Sequence, residues 1–244
     1  VENGKLYRDG NPYTFIGTNY WYGAILGSKG KGGNRKRLNR ELDEMKRLGI
    51  NNLRILVGSD GEEGIKWKAS PVLQPSPGVY NDTILDGLDY LMLQLQRRGM
   101  VAVLYLNNSW EWSGGYGFYL ENAGGGKAQQ PNEVGYSAYV KYASQFATNQ
   151  KAQQLFFNHV NFILKRTNRY TGKPYTDDPA IMSWQICNEP RAFDKAALPQ
   201  FEAWLAKAAS IMKSIDKRHL VSIGSEGAFG CEVDYDSWQR ICSD

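Results

Sequence analysis

The chain has 244 residues, 42% of them hydrophobic, which is enough for one large globular domain. The net charge of +4 is mild, and its densest source, the segment 29–40, continues into a helical pattern, so we expect a solvated helix start rather than a nucleic-acid surface. The 2 histidines and 3 cysteines form no metal-ligand pattern, and no apolar run is long enough to span a membrane. We therefore expect no nucleic-acid partner, no membrane span, no metal and no cofactor.

The cysteines and the start of the chain bear on its compartment. Cys231 and Cys242 can form a disulfide if the protein is secreted, whereas Cys187 lies in an apolar run and is expected to be buried. The sequence starts at Val1 without a methionine or a signal-type apolar stretch. We expect either a partial chain or a mature product whose signal peptide has been removed, and in the second case a secreted, periplasmic or cell-surface location.

The predicted elements begin with a hairpin and then alternate between strands and helices. Residues 5–13 alternate around a turn at 9–12, which predicts a small β lid over about residues 1–13. Strands are predicted at 15–19, 51–57, 101–106, 181–187 and 220–223. Apolar residues at helical spacing predict helices over 38–48, 84–95, 136–146, 150–165 and 201–215, and a short one around 235–241. Asp82 is predicted to cap the helix that ends at Gly99.

Strands that alternate with helices predict a parallel sheet, either doubly wound or closed as a (β/α)₈ TIM barrel. Nucleotide-binding doubly wound sheets carry a phosphate loop, but the glycine-rich runs 27–33 and 124–127 match no such motif. Each predicted strand instead ends in hydrogen-bonding or aromatic residues, a pattern typical of the catalytic face of a TIM barrel. The expected fold class is therefore α/β, a TIM barrel of which about the first five βα units are present.

The run 181–191, IMSWQICNEPR, ends a β-prone stretch in an amide, a carboxylate and a proline. Proline favours an extended residue before it and cannot donate to a ladder, so Glu189 is expected where a strand ends. An acid at that position is a candidate proton donor, and Asn188 beside it is a candidate for binding a substrate hydroxyl. For this tripeptide alone, a surface glutamate in an ordinary turn is the alternative.

Several motifs together resemble glycoside hydrolase family 5, and more narrowly its endo-β-1,4-mannanases, in the clan of retaining (β/α)₈ glycosidases. They are the strand end 188–190, Arg54 within 52–56, the stretch 107–115 (NNSWEWSGG), Arg191, and 224–227 (GSEG). The resemblance runs from about residue 6 to the end of the chain. It implies an enzyme that hydrolyses β-1,4-mannosidic bonds in mannan, glucomannan or galactomannan by a retaining double displacement.

The resemblance also implies the roles of three polar residues. Glu189 is expected to act as general acid and then as general base. Asn188 is expected to bind the 2-hydroxyl of the sugar that is cleaved. Arg54 is expected to orient the nucleophile and keep it ionised, with a structural ion pair to an internal acid as the alternative.

Further residues are implied as substrate contacts. Trp110, Trp21 and Tyr22 are expected to stack on sugar rings, and for the last two core packing is equally open. Arg191 is expected to bind a sugar hydroxyl on the leaving-group side or, alternatively, to form a surface salt bridge. Glu226 ends the fifth predicted strand and is expected to touch substrate.

The chain is short for such a barrel. A TIM barrel usually takes roughly 250 residues or more, and the fifth predicted strand ends only at residue 223. The family's nucleophilic glutamate lies on strand seven, so the resemblance implies that it is outside this sequence. We expect residues 1–244 to form a single, incomplete catalytic-barrel domain between the lid and strand five, with the C-terminal remainder of the barrel as its partner, because an open sheet exposes a strand edge.

Two alternative functions stay open at this point. One is a related β-1,4-glucanase on the same barrel. The other is a catalytically inactive glycan-binding remnant, which keeps the acid and the aromatic residues but not the nucleophile. A doubly wound nucleotide-binding domain is a third interpretation, which the missing phosphate loop disfavours.

Overall fold

The computed structural model describes residues 1, 3–228 and 235–243 and begins with a two-stranded antiparallel hairpin. Strand β1 covers Tyr7–Arg8 and strand β2 covers Asn11–Pro12. Asp9 and Gly10 between them have φ of 52° and 78°, and a type I′ hairpin turn needs positive φ at both of these positions. The hairpin thus forms where the sequence predicts it.

Five parallel strands follow, and each pairs with the next one in the chain. They are β3 (Gly17–Asn19), β4 (Asn52–Leu56), β5 (Val101–Tyr105), β6 (Ile181–Gln185) and β7 (Leu220–Ser222). A doubly wound sheet reverses its strand order at a switch point, whereas a TIM barrel keeps chain order. The order β3-β4-β5-β6-β7 is that of a barrel, so the predicted fold class is confirmed.

Helices connect these strands. Between β3 and β4 lie α1 (Gly23–Gly27) and α2 (Arg35–Arg47), and between β4 and β5 lies α3 (Asp82–Arg98). Between β5 and β6 lie α4 (Gly115–Asn122), α5 (Pro131–Val134), α6 (Tyr136–Ala143) and α7 (Gln150–Leu164). Helix α8 (Leu198–Ile215) precedes β7, and α9 (Tyr235–Ser243) follows it.

The ends of α3 show how local sequence sets its bounds. The side chain of Asn81 accepts a hydrogen bond from the backbone N–H of Thr83 at 3.1 Å, so Asn81 is the N-cap. The prediction that Asp82 caps this helix is wrong, because Asp82 is already its first helical residue. At the other end Gly99 has φ of 66°, which confirms the predicted stop.

The sequence did not predict the five-residue helix α1, which packs against α3 through close backbone approach. A Cβ added at Gly87 would lie 2.1 Å from the carbonyl oxygen of Ala24, and one at Gly27 would lie 2.4 Å from the carbonyl oxygen of Gly87. Only glycine at both positions allows this packing.

The two faces of the sheet differ in cover. Residues such as Leu53 and Ile55 are fully buried in the main hydrophobic core between the sheet and the helices. Arg54, Gln185 and Ser222 are joined across three strands by hydrogen bonds and are only half-buried, so they share the other face. That face corresponds to the inside of a barrel.

The edge strands are the least buried. The predicted first strand, 15–19, was expected to be buried, but Phe15 and Ile16 are 45% and 59% exposed and only 17–19 pair with β4. Every residue of β7 is half-buried. In the described part of the chain β3 and β7 each pair with one strand, so the outer edge of each has no strand partner there.

The hairpin and the chain termini complete the fold. Arg8 Nη1 donates to the carbonyl of Gly99 at 3.5 Å, so the hairpin lies near the start of β5, at the amino ends of the strands. Cys231 lies outside the described residues, and so does its predicted pairing with Cys242. In the described ranges, none of the helices is both long and apolar enough to cross a bilayer.

Candidate active site

Glu189 lies just beyond the carboxyl end of β6, and its backbone is fixed by both neighbouring strand ends. Its N–H donates to the carbonyl of Gly224 at 3.0 Å, and the Ser109 hydroxyl donates to its carbonyl. Its φ of 47° is in the left-handed region, which is uncommon for a residue other than glycine. Gly224 permits this approach, because a Cβ there would lie 1.9 Å from the carbonyl oxygen of Cys187.

The carboxylate of Glu189 is held by Trp110. The indole N–H of Trp110 donates to Oε2 of Glu189 at 2.7 Å. The Trp110 ring is stacked near Tyr139 (centroids 6.0 Å apart, 16° between planes) and Tyr136 (6.2 Å, 30°), and Phe193 meets it edge-on at 5.4 Å. These contacts fix the direction of the N–H, and a hydrogen bond to an ionised carboxylate is stronger than one between neutral groups.

Asn188 is positioned by Asn108, a residue to which the sequence assigned no role. Asn188 Nδ2 donates to Asn108 Oδ1 at 3.0 Å, and the same oxygen accepts the backbone N–H of Trp110 at 3.0 Å. Asn108 Nδ2 in turn donates to the Ser113 hydroxyl at 3.0 Å. Asn108 therefore aligns both the amide next to Glu189 and the indole that binds it, and the only signal for it was its place in the stretch 107–115.

Arg54 extends from β4 on the half-buried face of the sheet, the one that corresponds to the inside of a barrel. Its Nε donates to Gln185 Oε1 at 2.7 Å, its Nη1 to Asn19 Oδ1 at 3.4 Å, and its Cζ lies 4.2 Å from the ring centroid of Tyr105. Burial lowers the pKa of its guanidinium below the ordinary value, an effect that the electrostatic influence of Glu189 opposes. Among the residues described, Arg54 donates to side-chain amides and forms no ion pair. The alternative of a structural ion pair with an internal acid is therefore not observed in this part of the chain.

Arg191 and Glu226 come together beside Trp110. Arg191 Nε and Glu226 Oε1 form an ion pair of 2.6 Å, and the two side chains are 15% and 26% exposed. The guanidinium carbon of Arg191 lies 5.1 Å from the Trp110 ring centroid. Both predicted contact residues thus lie at the site, on the β6–β7 side of Glu189, and the salt bridge predicted as an alternative for Arg191 is present.

Trp21 and Tyr22 follow β3, and their rings meet edge-on with centroids 5.5 Å apart. Trp21 is 39% exposed, and its ring meets that of Trp112 edge-on at 5.9 Å. The Tyr22 hydroxyl lies 3.4 Å from Glu41 Oε2 on α2, and the ring packs against the core. Tyr22 therefore packs in the core, the alternative predicted for it, with its hydroxyl directed to Glu41 on α2. Trp21 remains partly exposed beside Trp112, at the rim of the candidate site, which we call the mouth.

The polar groups gathered here are suited to acid–base chemistry. The site combines the carboxyl groups of Glu189 and Glu226, an indole donor, several side-chain amides and two guanidinium groups towards the carboxyl ends of the strands. Across the described ranges, no group of three or more His, Cys, Asp or Glu side chains is arranged to hold a metal ion.

Comparisons with known proteins agree with this geometry. Residues 1–244 match a family model described as GH family 5 beta-mannosidase-like. Mannan endo-1,4-beta-mannosidase 1 of Arabidopsis thaliana is 32% identical over 241 residues, which cover 94% of this chain and 52% of the relative. Mannan endo-1,4-beta-mannosidase 4 of Oryza sativa subsp. japonica is 35% identical over 182 residues, 75% of this chain and 36% of the relative.

Solved structures give the same relationship. The glycoside hydrolase family 5 mannosidase from Rhizomucor miehei has a TM-score of 0.86 and 36% identity, with 96% of this chain and 56% of that one covered. The endo-1,4-beta-mannanase from Rhizomucor miehei has a TM-score of 0.73 and 26% identity, with 96% and 66% covered. The chain thus spans about half the length of the Arabidopsis relative. It belongs to glycoside hydrolase family 5, as its motifs predicted, and the family model that it matches is the beta-mannosidase-like one.

Proposed function

We propose that this chain carries the acid/base half of a retaining, endo-acting β-1,4-mannanase that hydrolyses mannan, glucomannan or galactomannan. The observation that carries the proposal is the environment of Glu189, whose carboxylate accepts the Trp110 indole N–H beside the buried amide of Asn188. Support for mannan as the substrate comes from the Arabidopsis and Oryza relatives, which are named mannan endo-1,4-beta-mannosidases.

In the first step Glu189 acts as an acid. Its proton passes to the oxygen of the glycosidic bond, while a second carboxylate attacks the anomeric carbon and the leaving sugar departs. Oε2 already accepts the Trp110 N–H at 2.7 Å, so Oε1 is the oxygen that carries the proton. The negative charge that Glu189 gains is then stabilised by the same indole donor.

In the second step Glu189 acts as a base. It removes a proton from a water molecule, whose oxygen attacks the anomeric carbon and releases the second carboxylate. Asn188 assists both steps, because an amide bound to the 2-hydroxyl strengthens its hydrogen bond as the sugar ring flattens. The bond from Asn188 Nδ2 to Asn108 keeps this amide in place.

The second carboxylate is proposed to come from polypeptide that completes the barrel next to β7. In retaining glycosidases the two carboxyl groups lie about 5–5.5 Å apart, and Arg54 is available there to orient the nucleophile. The half-buried β7 pairs with one strand only among the described residues, and it lies beside a cavity of about 1160 Å³ lined by α8, β7 and α9. We propose residues 1–244 as a single, incomplete barrel domain that this remainder closes.

The experiment is a set of hydrolysis assays with the intact protein on galactomannan, glucomannan and cellulose, for wild type and Glu189→Gln. The proposal expects release of mannooligosaccharides by the wild type and a loss of at least about 10³-fold in the variant. Activity on cellulose alone would instead support the β-1,4-glucanase alternative. Binding of mannooligosaccharides without any turnover would support the inactive glycan-binding remnant.

Exo-acting release of single mannose units is a second candidate. It is favoured by the higher TM-score of the structures named mannosidase (0.86) than of the endo-mannanase (0.73). One of the former is named as a complex with mannosyl-fructose. The product pattern separates the two: an endo-enzyme lowers the viscosity of galactomannan early and yields short oligosaccharides, whereas an exo-enzyme yields mannose with little change in viscosity.

A further inference from the structure

Trp67, in the loop between β4 and α3, is the most exposed large hydrophobic side chain of the described residues, at 78%. Its φ of 68° lies in the left-handed region, where a bulky residue is a conformational outlier. The unfavourable backbone conformation is not offset by burial of the side chain, because the indole is exposed to solvent. An outlier that neither packing nor backbone preference explains points to a functional demand.

The backbone around Trp67 is held rather than free. The N–H of Lys68 donates to the carbonyl of Ile65 at 3.2 Å, which closes a turn with Trp67 at the third position. That position has positive φ in a type II turn and is usually glycine or asparagine. Glu63 ties the loop further, since its Oε1 accepts the N–H of Val72 at 2.5 Å. The indole therefore stands at the tip of a fixed turn.

This turn borders the mouth of the active site. The N–H of Ala69 donates to the carbonyl of Trp112 at 2.6 Å. Trp112 lies in the same segment as Trp110, whose indole donates to Glu189. Two residues of extended chain span at most about 7 Å, so Trp67 stands next to this segment. Its loop follows β4 and thus rises from the same end of the sheet as Glu189.

The order of strands gives the direction. Trp67 and Trp21 follow β4 and β3, whereas Arg191 and Glu226 follow β6 and β7, on the other side of Glu189. Trp21 is also exposed and contacts Trp112. The exposed indoles of Trp21 and Trp67 therefore lie on the β3–β4 side of the mouth, opposite Arg191, the expected contact of the leaving group.

We propose that Trp67 is an outer stacking platform for a β-1,4-linked mannan or glucomannan chain, and binds a sugar unit remote from the bond that is cleaved. This inference rests on the proposed function and adds a preference for long substrates. A pyranose has one apolar C–H face, which packs on the electron-rich face of an indole, while its hydroxyl groups remain hydrated.

The surroundings of Trp67 favour a sugar over a protein partner. A protein interface needs a contiguous apolar patch with a desolvated centre. The neighbours of Trp67 are instead exposed and charged: Glu62, Glu63 and Lys66. Lys66 Nζ lies over one face of the indole, 5.0 Å from its centroid, so the opposite face is the one proposed to take a sugar. The flat indole suits the apolar C–H face of a pyranose, and the charged residues around it suit the hydroxyl groups at the edge of the sugar.

The test is binding of mannotriose and mannohexaose to the intact protein, measured by isothermal titration in a Glu189→Gln background that prevents turnover. Trp67→Ala is expected to weaken mannohexaose about tenfold and mannotriose by less than about twofold. Trp67→Phe, which keeps a flat ring, is expected to retain most of the affinity. The control is Tyr7→Ala, an aromatic residue 39% exposed on the hairpin at the opposite end of the strands, with no expected effect.

Three outcomes overturn the proposal. If Trp67→Ala binds mannohexaose as tightly as the background protein while wild type hydrolyses mannan, the platform is wrong and the proposed function stands. If wild type neither binds nor hydrolyses mannan, both fail. If Trp67→Ala changes the oligomeric state in size-exclusion chromatography and leaves sugar binding unchanged, Trp67 is a contact between copies.

Discussion

The indole of Trp110 and the carboxylate of Glu189 are joined by a 2.7 Å hydrogen bond between two strand ends that are 79 residues apart in the chain. The donor is fixed by stacking, and the acceptor is fixed by backbone bonds to Gly224 and Ser109. The geometry of the proposed acid is thus set before a substrate arrives. Such preorganisation lowers the reorganisation that proton transfer requires.

Trp110→Phe tests this bond. Phenylalanine keeps an aromatic ring but has no N–H, so the charge that develops on Glu189 loses its donor. We expect kcat on mannan to fall about tenfold to a hundredfold, with a smaller change in KM. Trp112→Phe is the matched control, since this neighbouring indole is not bonded to Glu189 in the described structure. Equal losses in the two variants would contradict the role assigned to Trp110.

The ion pair between Arg191 and Glu226 is expected to be stabilising. A double-mutant cycle with Arg191→Met, Glu226→Gln and the combined variant should give a coupling energy of about 1 kcal/mol in the free energy of unfolding from urea titrations. The partly buried geometry, 15% and 26% exposed, reduces screening by water. The exposed pair Arg47–Glu44, 67% and 54% exposed, is the control and should give at most about 0.5 kcal/mol.

The sequence predicted what depends on local pattern. Hydrophobic periodicity predicted the strands and the main helices, and polar residues at the strand ends predicted that Glu189, Asn188, Arg54 and Arg191 share one site. It could not predict the exposure of Phe15 and Ile16, because burial depends on which strand lies alongside. Nor could it predict that Trp110 donates to Glu189, since this contact depends on the direction of a side chain across two strands.

The buried ring of His159 should make stability fall in acid. Nε2 lies 2.8 Å from the carbonyl of Val57, Nδ1 lies 3.1 Å from the hydroxyl of Tyr80, and burial lowers the pKa of His159 from 6.5 to about 4. Between those two pH values the unfolded chain binds a proton that the folded chain does not. The difference of about 2.5 between the pKa values corresponds to about 3 kcal/mol, lost as pH falls from about 6.5 to about 4.

His159→Gln removes this contribution. Relative to the wild type, the variant should lack the loss that His159 contributes as pH falls from 7 to 4, so its free energy of unfolding in urea titrations should rise towards acid. Its stability at pH 7 should be lower because the fit to Val57 is poorer. Tyr80→Phe is the control, because it removes the hydroxyl contact and keeps the titrating ring, so its pH dependence should stay. An unchanged pH dependence in His159→Gln would rule out this account.

The buried carboxyl group of Asp60 should make stability fall as pH rises, which is opposite to the effect of His159. It is fully buried, with Gln74 Nε2 at 3.2 Å and the Tyr119 hydroxyl at 3.5 Å from its carboxyl oxygens, and burial raises its pKa from 3.8 to about 7. As pH rises from about 4 to about 7, the unfolded chain releases a proton that the folded chain retains, so stability falls. The difference of about 3 between the pKa values corresponds to about 4 kcal/mol.

Between about pH 4 and 6.5 the contributions of Asp60 and His159 nearly cancel, so the wild type should show little pH dependence from them. Asp60→Asn keeps the shape of the side chain but cannot titrate. Its stability should therefore rise with pH over this range, while that of His159→Gln should fall. Parallel pH profiles for the two variants would show that neither group controls stability in this range.

Arg54→Lys tests the guanidinium that faces the proposed nucleophile. Lysine keeps the charge, but its single ammonium cannot take the separate positions of Nε and Nη1, which donate to Gln185 and Asn19, and also that of the remaining guanidinium nitrogen. We expect kcat on mannan to fall at least about a hundredfold with little change in KM, since the loss concerns the attacking group rather than sugar binding. Arg37→Lys, on the exposed side of α2, is the matched control and should leave kcat unchanged. If Arg54→Lys raised KM and spared kcat, Arg54 would be a substrate contact, and the carboxylate supplied from beside β7 would need a different partner.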